Sequence, residues 1–196
     1  MPKFIPVFLT IFALANSAAN AQSGAKPIPI RIVTQMGDID AELDSARAPV
    51  TVTNFLRYVD AHLFDGGTFF RSVTMSNQPN DSVRIEVIQG GIANEKRAQG
   101  FPVIPLERTN VSGLRHTDGT LSMARSIPNS ATGSFFITIG DQPALDFAGK
   151  RQPDGQGFAA FGHVTKGLDV VRKIQSQPAN GQTLVVPATI VRVVRL

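Results

Sequence analysis

The chain has 196 residues, a net charge of +4 at pH 7, 13 phenylalanines, 17 glycines, 13 prolines and no cysteine. This length allows one domain with a sizeable core, and the phenylalanines together with many valines and isoleucines predict a β-rich interior. Lysines and arginines are scattered without a basic run that interleaves aromatics, which argues against a nucleic-acid partner. The absence of cysteine excludes a disulfide framework and a thiol nucleophile.

The first 21 residues predict a cleavable signal peptide. Lys3 gives a positive start, residues 4–14 are mostly apolar, and Ala19-Asn20-Ala21 places small residues where a signal peptidase cleaves. The apolar run is shorter than the roughly 20 residues of a membrane-spanning helix. We therefore expect cleavage after Ala21, no membrane attachment afterwards, and a periplasmic location in a Gram-negative cell.

Residues 22–29 read as a flexible lead-in to one domain that occupies residues 30–196. Two strand-like runs, Ile30–Thr34 and Ile39–Leu43, flank the turn-forming sequence Met36-Gly37-Asp38. This arrangement predicts a β-hairpin at the start of the domain.

An amphipathic helix is predicted after the hairpin. Pro49 suits the first helical position, because its missing N–H would have no partner there. Val52, Phe55, Leu56 and Val59 recur at positions i, i+3, i+4 and i+7, so one stripe of this helix should be buried.

The rest of the chain alternates short strand-like runs with turns. Strand character is found in residues 68–74, 83–88, 121–123, 135–139, 158–164 and 188–196, a second short helix is indicated by Leu168, Val171 and Ile174, and residues 92–117 read as loop and edge strand. The expected fold class is mainly β. Because a closed sheet has no exposed edges, we predict an eight-stranded antiparallel β-barrel capped by two α-helices.

Residues 119–137 predict a strand, a polar loop and a second strand. The small side chains of Ser122 and Ala124 leave the first strand open to a ligand. Phe135 and Phe136 should point to opposite faces of the second strand, because side chains alternate along a strand. Two neighbouring strands with nothing bound to them are the alternative interpretation.

Familiar motifs for other chemistry are absent. Residues 155–160 resemble a dinucleotide-binding glycine motif but follow a loop and precede a strand, whereas that motif requires a strand and then a helix. His62, His116 and His163 match no metal-ligand spacing, so we expect each at the surface or partly buried. We therefore predict neither a metal nor a cofactor.

Seven sequence blocks remain, in order 53–56 (TNFL), 69–71 (FFR), 87–91 (VIQGG), 119–124 (GTLSMA), 134–137 (SFFI), 145–146 (LD) and 161–164 (FGHV) with 167–171 (GLDVV). In this order they resemble the cyclophilin family of peptidyl-prolyl cis-trans isomerases, and the resemblance covers most of the chain from about residue 30 to its end. The resemblance implies an eight-stranded barrel that needs no cofactor. It also implies a monomer that acts on proline-containing polypeptides, here in the folding of exported proteins.

The resemblance also assigns roles to individual residues. It makes Arg71 the catalytic residue and Gln89 a neighbour that orients the ligand. The walls of a proline pocket would be Val87, Phe136, Leu145 and Phe158, and the residue before the proline would meet the backbone of Ala124 and Arg125.

Four substrate-site positions depart from the family pattern. Phe70 replaces a usual histidine, Glu86 an aromatic pocket residue, Arg125 an asparagine and Ser134 a glutamine that contacts peptide backbone. The hairpin between Arg71 and Gln89 is also longer than the family pattern. Glu86 could pair with Arg71 or with Arg84, and the sequence leaves both options open. The alternative function is a low-activity proline-peptide binding module or periplasmic chaperone of the same fold.

Overall fold

The computed structural model describes Met1, residues 26–93 and residues 98–196. Apart from Met1, the predicted signal peptide lies outside these residues, and so do residues 22–25 of the predicted lead-in. Across the described parts, no helix combines the length and the hydrophobicity that crossing a membrane requires.

The described residues contain nine strands in one antiparallel sheet. They are β1 (Ile28–Thr34), β2 (Gly37–Leu43), β3 (Thr68–Val73), β4 (Val87–Gly91), β5 (Thr120–Met123), β6 (Phe135–Thr138), β7 (Ala159–Lys166), β8 (Ala179–Asn180) and β9 (Thr183–Arg195). The strand order is β1-β2-β7-β5-β6-β4-β3-β9, and pairing of β9 with β1 closes the barrel. The two-residue β8 pairs with β9 outside this ring. The predicted closed eight-stranded barrel is confirmed.

Within the described parts of the chain, three α-helices accompany the barrel: α1 (Pro49–Asp60), α2 (Thr109–Ser112) and α3 (Leu168–Gln175). The predicted stripe of α1 is buried at all four positions. Glu107 accepts hydrogen bonds from the N–H groups of Val50 (3.0 Å) and Thr51 (2.8 Å), so a distant carboxylate satisfies the first turn of α1. In α3, Val171 and Ile174 are buried as predicted, and Leu168 packs at the edge of the core.

The buried apolar residues form two separate clusters. The larger cluster fills the barrel and includes Phe135. The smaller one lies on the opposite face of β4 and β6 and consists of Val73, Ile85, Val87, Phe136, Leu145 and Phe158. Phe135 and Phe136 therefore point to opposite faces, as the alternation predicted, and the sheet carries a second apolar surface outside the barrel core.

The predicted strand over residues 83–88 is wrong in its first four residues, because β4 begins only at Val87. The side-chain amide of the buried Gln78 explains the difference. Its Nε2 donates to the carbonyl oxygen of Ile85 at 2.7 Å, and its Oε1 accepts from the Ile85 N–H at 3.2 Å. One amide thus satisfies both backbone groups of Ile85 in place of a neighbouring strand.

Two smaller boundaries also differ from prediction. Strand β1 begins at Ile28, so the last two residues of the predicted lead-in belong to the barrel. The stretch 92–117, predicted as loop and edge strand, contains the single-turn helix α2 and an isolated bridge between Ile104 and Ala131. A four-residue helix is too short to show a hydrophobic period.

Candidate active site

A small cavity of about 170 Å³ opens over the second apolar cluster. Its lining residues are Arg71, Ile85, Val87, Gln89, Ala124, Arg125, Phe136, Leu145, Arg151, Gln152 and Phe158. The volume is below the range of drug-sized ligand pockets and suits a single side chain. A larger cleft of about 390 Å³, bordered by Glu42, Arg47 and His163, shares none of these residues.

Strand register brings the central side chains of the cavity into one row. Arg71 on β3 lies opposite Gln89 on β4, and Gln89 lies opposite Phe136 on β6. The next partner in the row is Ser122 on β5. Cross-strand partners share one face of a sheet, so a guanidinium, an amide and a phenyl ring stand side by side on the face opposite the barrel core.

Two glutamines hold the Arg71 side chain. Its Nη1 donates to Gln89 Oε1 at 2.9 Å, its Nε donates to Gln182 Oε1 at 2.9 Å, and its Nη2 donates to the same Gln182 oxygen. Burial lowers the pKa of Arg71, and the positive charge of Arg151 lowers it further while Asp81 raises it. The guanidinium remains charged at neutral pH because its ordinary pKa is far higher.

Gln182 is a site residue that sequence reasoning missed. It lies in the turn between β8 and β9, 111 positions after Arg71, and the pairing of β3 with β9 brings them together. The Ser72 N–H donates to its backbone oxygen at 2.9 Å, and its own Nε2 contacts the carbonyl oxygen of Asn77 at 3.4 Å. No local motif marks this residue.

Aromatic rings form two walls of the cavity. The rings of Phe136 and Phe158 meet edge to face with centroids 5.3 Å apart. Behind Phe136, the imidazole of His116 stacks at 6.0 Å with an angle of 17° between the planes. These contacts restrict Phe136 to one orientation and keep its free face towards the cavity.

Arg125 supports the Phe158 wall with a buried side chain. The side chain is 1% exposed, and its guanidinium carbon lies 5.1 Å from the centre of the Phe158 ring. Nη1 and Nη2 donate to the carboxylate of Asp154 at 2.7 and 2.9 Å, and Nε donates to the Gly157 carbonyl oxygen at 2.8 Å. The guanidinium thereby ties the 154–157 loop to the wall.

His116 was expected at the surface or partly buried, and this expectation is wrong because its side chain is fully buried. Its Nδ1 lies 2.8 Å from Asp146 Oδ1, and its Nε2 lies 2.9 Å from Ser122 Oγ. An ionised carboxylate only accepts, so Nδ1 donates to Asp146, while Nε2 and Ser122 Oγ form a second hydrogen bond. The buried network fixes the ring on which Phe136 stacks.

This network should make stability depend on acidic pH. Burial alone would raise the pKa of Asp146, but hydrogen bonds from His116 and Arg115 outweigh it and the pKa falls below its ordinary 3.8. A carboxyl group with a lowered folded-state pKa stabilises above pH 3.8, and this contribution disappears as the pH falls through the folded-state pKa. We expect Asp146→Asn to cost about 1.5–3 kcal/mol at pH 7 and less at pH 2.

Urea unfolding between pH 2 and pH 7 measures this difference, and the exposed Asp169→Asn is the matched control. A constant difference between wild type and Asp146→Asn across that range would contradict the assigned charge state.

Three predicted substrate-site residues lie outside the cavity lining. Phe70 and Ser134 border a neighbouring cavity of about 260 Å³ together with Tyr58 and Phe101. Ser134 Oγ donates to the Gly90 carbonyl oxygen at 3.2 Å. The other eight predicted site residues line the cavity itself.

The third residue, Glu86, forms neither of the pairs considered for it with Arg71 or Arg84 in the described part of the chain. Instead its Oε1 lies 3.4 Å from Nε2 of Gln175, near the end of α3. The reason is local. Residues 83–86 are not in a strand, so the alternation that would have placed Glu86 on the face of Arg84 does not apply.

The family model and the similar proteins all indicate the same family for this chain. Residues 29–195 match the family model described as cyclophilin type peptidyl-prolyl cis-trans isomerase/CLD. Peptidyl-prolyl cis-trans isomerase cyp18 of Streptomyces antibioticus is 37% identical over 147 residues, which cover 74% of this chain and 82% of that protein. Peptidyl-prolyl cis-trans isomerase A of Dickeya dadantii is 36% identical over 167 residues, 85% of this chain and 77% of that protein.

A solved structure shares the fold. The crystal structure of a cyclophilin type isomerase from Cryptosporidium parvum has a TM-score of 0.69 and 21% identity, with 87% of this chain and 98% of that chain covered. The family match spans the whole described barrel, and the bacterial relatives cover most of it. The chain therefore belongs to the cyclophilin-type family of peptidyl-prolyl cis-trans isomerases.

Proposed function

We propose that this isomerase accelerates X-Pro rotation by holding the proline ring against Phe136 while Arg71 stabilises the twisted bond. The observation that carries the proposal is that the Arg71 guanidinium and the Phe136 ring line the same side-chain-sized cavity. Val87, Leu145 and Phe158 supply the remaining apolar wall. A proline ring in that space brings its amide within reach of the guanidinium.

Isomerisation is accelerated when the twisted amide is stabilised relative to both planar amides. Resonance between nitrogen and carbonyl sets a rotation barrier of about 18–20 kcal/mol. In the twisted state the nitrogen lone pair is localised, and a donor placed at the nitrogen or the carbonyl oxygen favours this state over both planar ones. No covalent step is required.

Arg71 has the donors for this role. A guanidinium carries five N–H groups. Gln89 and Gln182 engage Nε and one hydrogen on each terminal nitrogen, so one N–H on Nη1 and one on Nη2 remain for a substrate. The two amides fix the plane in which these N–H groups lie, so substrate binding does not have to order the side chain.

The size of the required rate acceleration indicates that Arg71 and the apolar cavity are both needed. Uncatalysed isomerisation takes tens to hundreds of seconds, so a millisecond turnover needs about 10⁴- to 10⁵-fold acceleration, or roughly 5.5–7 kcal/mol. One preorganised donor typically contributes about 3–4 kcal/mol. The apolar cavity must supply the rest by restraining the ring and excluding water from the amide.

An isomerisation assay on an Ala-Pro peptide tests the proposal. We expect the purified domain to accelerate cis-to-trans conversion in proportion to enzyme concentration. Binding of the peptide without acceleration would contradict the proposal.

That outcome would select the second candidate function, a proline-peptide binding module or chaperone. A specific observation favours this alternative. Ser134 is engaged with the Gly90 carbonyl and Glu86 with Gln175, and neither lines the cavity. Two positions that the family pattern uses to hold substrate therefore offer it no direct contact within this cavity.

We also propose that the clients are exported proteins and that the mature chain is a periplasmic monomer. The support for export is the sequence of residues 1–21, with its positive start, short apolar run and small residues before position 22. The expected result is a periplasmic protein whose N-terminal residue is Gln22. Recovery of uncleaved protein from the cytoplasm would contradict the proposal.

A further inference from the structure

Two arginines, Arg71 and Arg151, line the same small cavity. A third arginine in the lining, Arg125, is matched by two contacts to its own carboxylate, Asp154. Among the described residues, no aspartate or glutamate contributes to the lining. Like charges on one cavity repel each other, and an anion placed between them would relieve that repulsion.

The charge of Arg71 is not compensated by the residues that hold it. Both of its hydrogen-bond partners, Gln89 and Gln182, are neutral amides. The effect of a second cation is visible at this group, because the charge of Arg151 lowers the pKa of Arg71. The opposing influence comes from Asp81.

Arg151 is fixed in place rather than mobile at the surface. Its side chain is 15% exposed, its Nη1 donates to the Val83 carbonyl oxygen at 2.7 Å, and the same nitrogen lies 2.9 Å from Asp81 Oδ2. Its backbone N–H donates to the Ala144 carbonyl oxygen at 3.1 Å. The residue thus joins the long hairpin before Gln89 to the long loop after Leu145.

Asp81 cannot neutralise both arginines. Its side chain is 41% exposed, so solvent screens its charge, and it contacts Arg151 through one oxygen. The rim of the cavity therefore keeps an excess of positive charge when no substrate is present. A peptide that carries a carboxylate would neutralise this excess of positive charge.

We propose that the site prefers X-Pro peptides with an acidic residue next to the proline, and that Arg151 sets this preference. The inference rests on the proposed isomerase function and specifies its substrate class. The substrate carboxylate reaches the Arg151 guanidinium while the proline ring occupies the apolar cavity. Arg151 acts on binding and orientation, whereas Arg71 acts on the twisted bond.

Matched peptides test the preference. Pairs that differ only in Glu or Gln before the proline, and further pairs that differ after it, are compared by NMR exchange spectroscopy, which needs no coupling protease. For wild type we expect kcat/KM to be about two- to fivefold higher with Glu in at least one pair, as for partly exposed ion pairs. The Glu preference should weaken as salt is added.

Variants separate a specific role of Arg151 from the general charge of the loop. Arg151→Gln should bring the Glu/Gln ratio to about one, and Arg151→Lys should restore part of it. Lys150→Gln removes one charge from the neighbouring exposed position and should leave the ratio as in wild type. Asp81→Asn frees Arg151 and should increase the ratio.

The assay keeps this inference distinct from the proposed function. Turnover of the Gln peptides reports isomerase activity, and the Glu/Gln ratio reports the preference. If turnover were absent, the ratio of dissociation constants from NMR titration would carry the same comparison. A wild-type ratio of one or less in every pair, or a ratio unchanged in Arg151→Gln, would overturn the proposal.

Discussion

The Arg71→Ala variant is expected to lose about 10²- to 10³-fold in kcat/KM, which corresponds to the loss of one preorganised donor. The loss should appear mainly in kcat, because the apolar cavity that binds the proline ring remains. Gln89 and Gln182 lose a shared partner, but both residues are only half-buried, so we expect the fold to persist. Circular dichroism and urea unfolding check that point.

Arg71→Lys separates charge from geometry. A lysine keeps the positive charge but has no planar fork, so it cannot bond both glutamines and still present two N–H groups to the substrate. We expect a loss of at least tenfold. Arg192→Ala, at an exposed position of β9, is the control for removal of a surface charge. Wild-type kinetics in Arg71→Ala would remove the basis for the proposed mechanism.

Gln182→Ala extends the same test to the two glutamines that hold the Arg71 side chain. Gln182 accepts from Nε and Nη2, so its loss leaves only Gln89 to orient the guanidinium. We expect a smaller fall in kcat than in Arg71→Ala. In the background of Arg71→Ala, the Gln182→Ala change should have little further effect, because a positioning residue acts only through the group it positions.

Much of the barrel could be predicted because its signals are local. The stripe of α1 shows a helical period, and the hairpin β1-β2 shows two apolar runs around a glycine turn. The opposite directions of Phe135 and Phe136 follow from strand geometry alone. The absence of strand conformation at residues 83–86 could not be predicted, because the partner of Ile85 is the Gln78 side chain rather than another strand.

The site was predictable to the extent that its residues are neighbours in strand register. Arg71, Gln89 and Phe136 follow from sequence blocks that resemble the cyclophilin family, and the pairing of β3 with β4 and of β4 with β6 aligns them. Gln182 and Arg151 come from a turn and a loop. Their positions depend on long-range packing, which no motif encodes. His116 looked like an unremarkable histidine until the fold placed Asp146 and Ser122 at its two nitrogens.

The Phe136→Ala variant is expected to show the other large effect, a rise in KM together with a fall in kcat. Phe136 is 5% exposed and packs between the Phe158 ring and the His116 ring, so its removal opens the cavity wall and frees both neighbours. Water can then reach the amide, and the proline ring is no longer restrained. We expect kcat/KM to fall about 10- to 10²-fold, with a stability cost of up to about 3–5 kcal/mol.

Because that cost could unfold the domain, Phe136→Leu provides the decisive comparison. Leucine keeps most of the apolar volume but loses the flat face, so we expect a smaller stability cost and an intermediate kcat/KM. Phe147→Ala removes a phenyl ring that is 36% exposed and outside the cavity lining, and it should match wild type in the same assay. If Phe136→Leu and Phe147→Ala were equally active, the ring of Phe136 would have no specific part in catalysis, and binding of the proline would have to be assigned to another part of the surface.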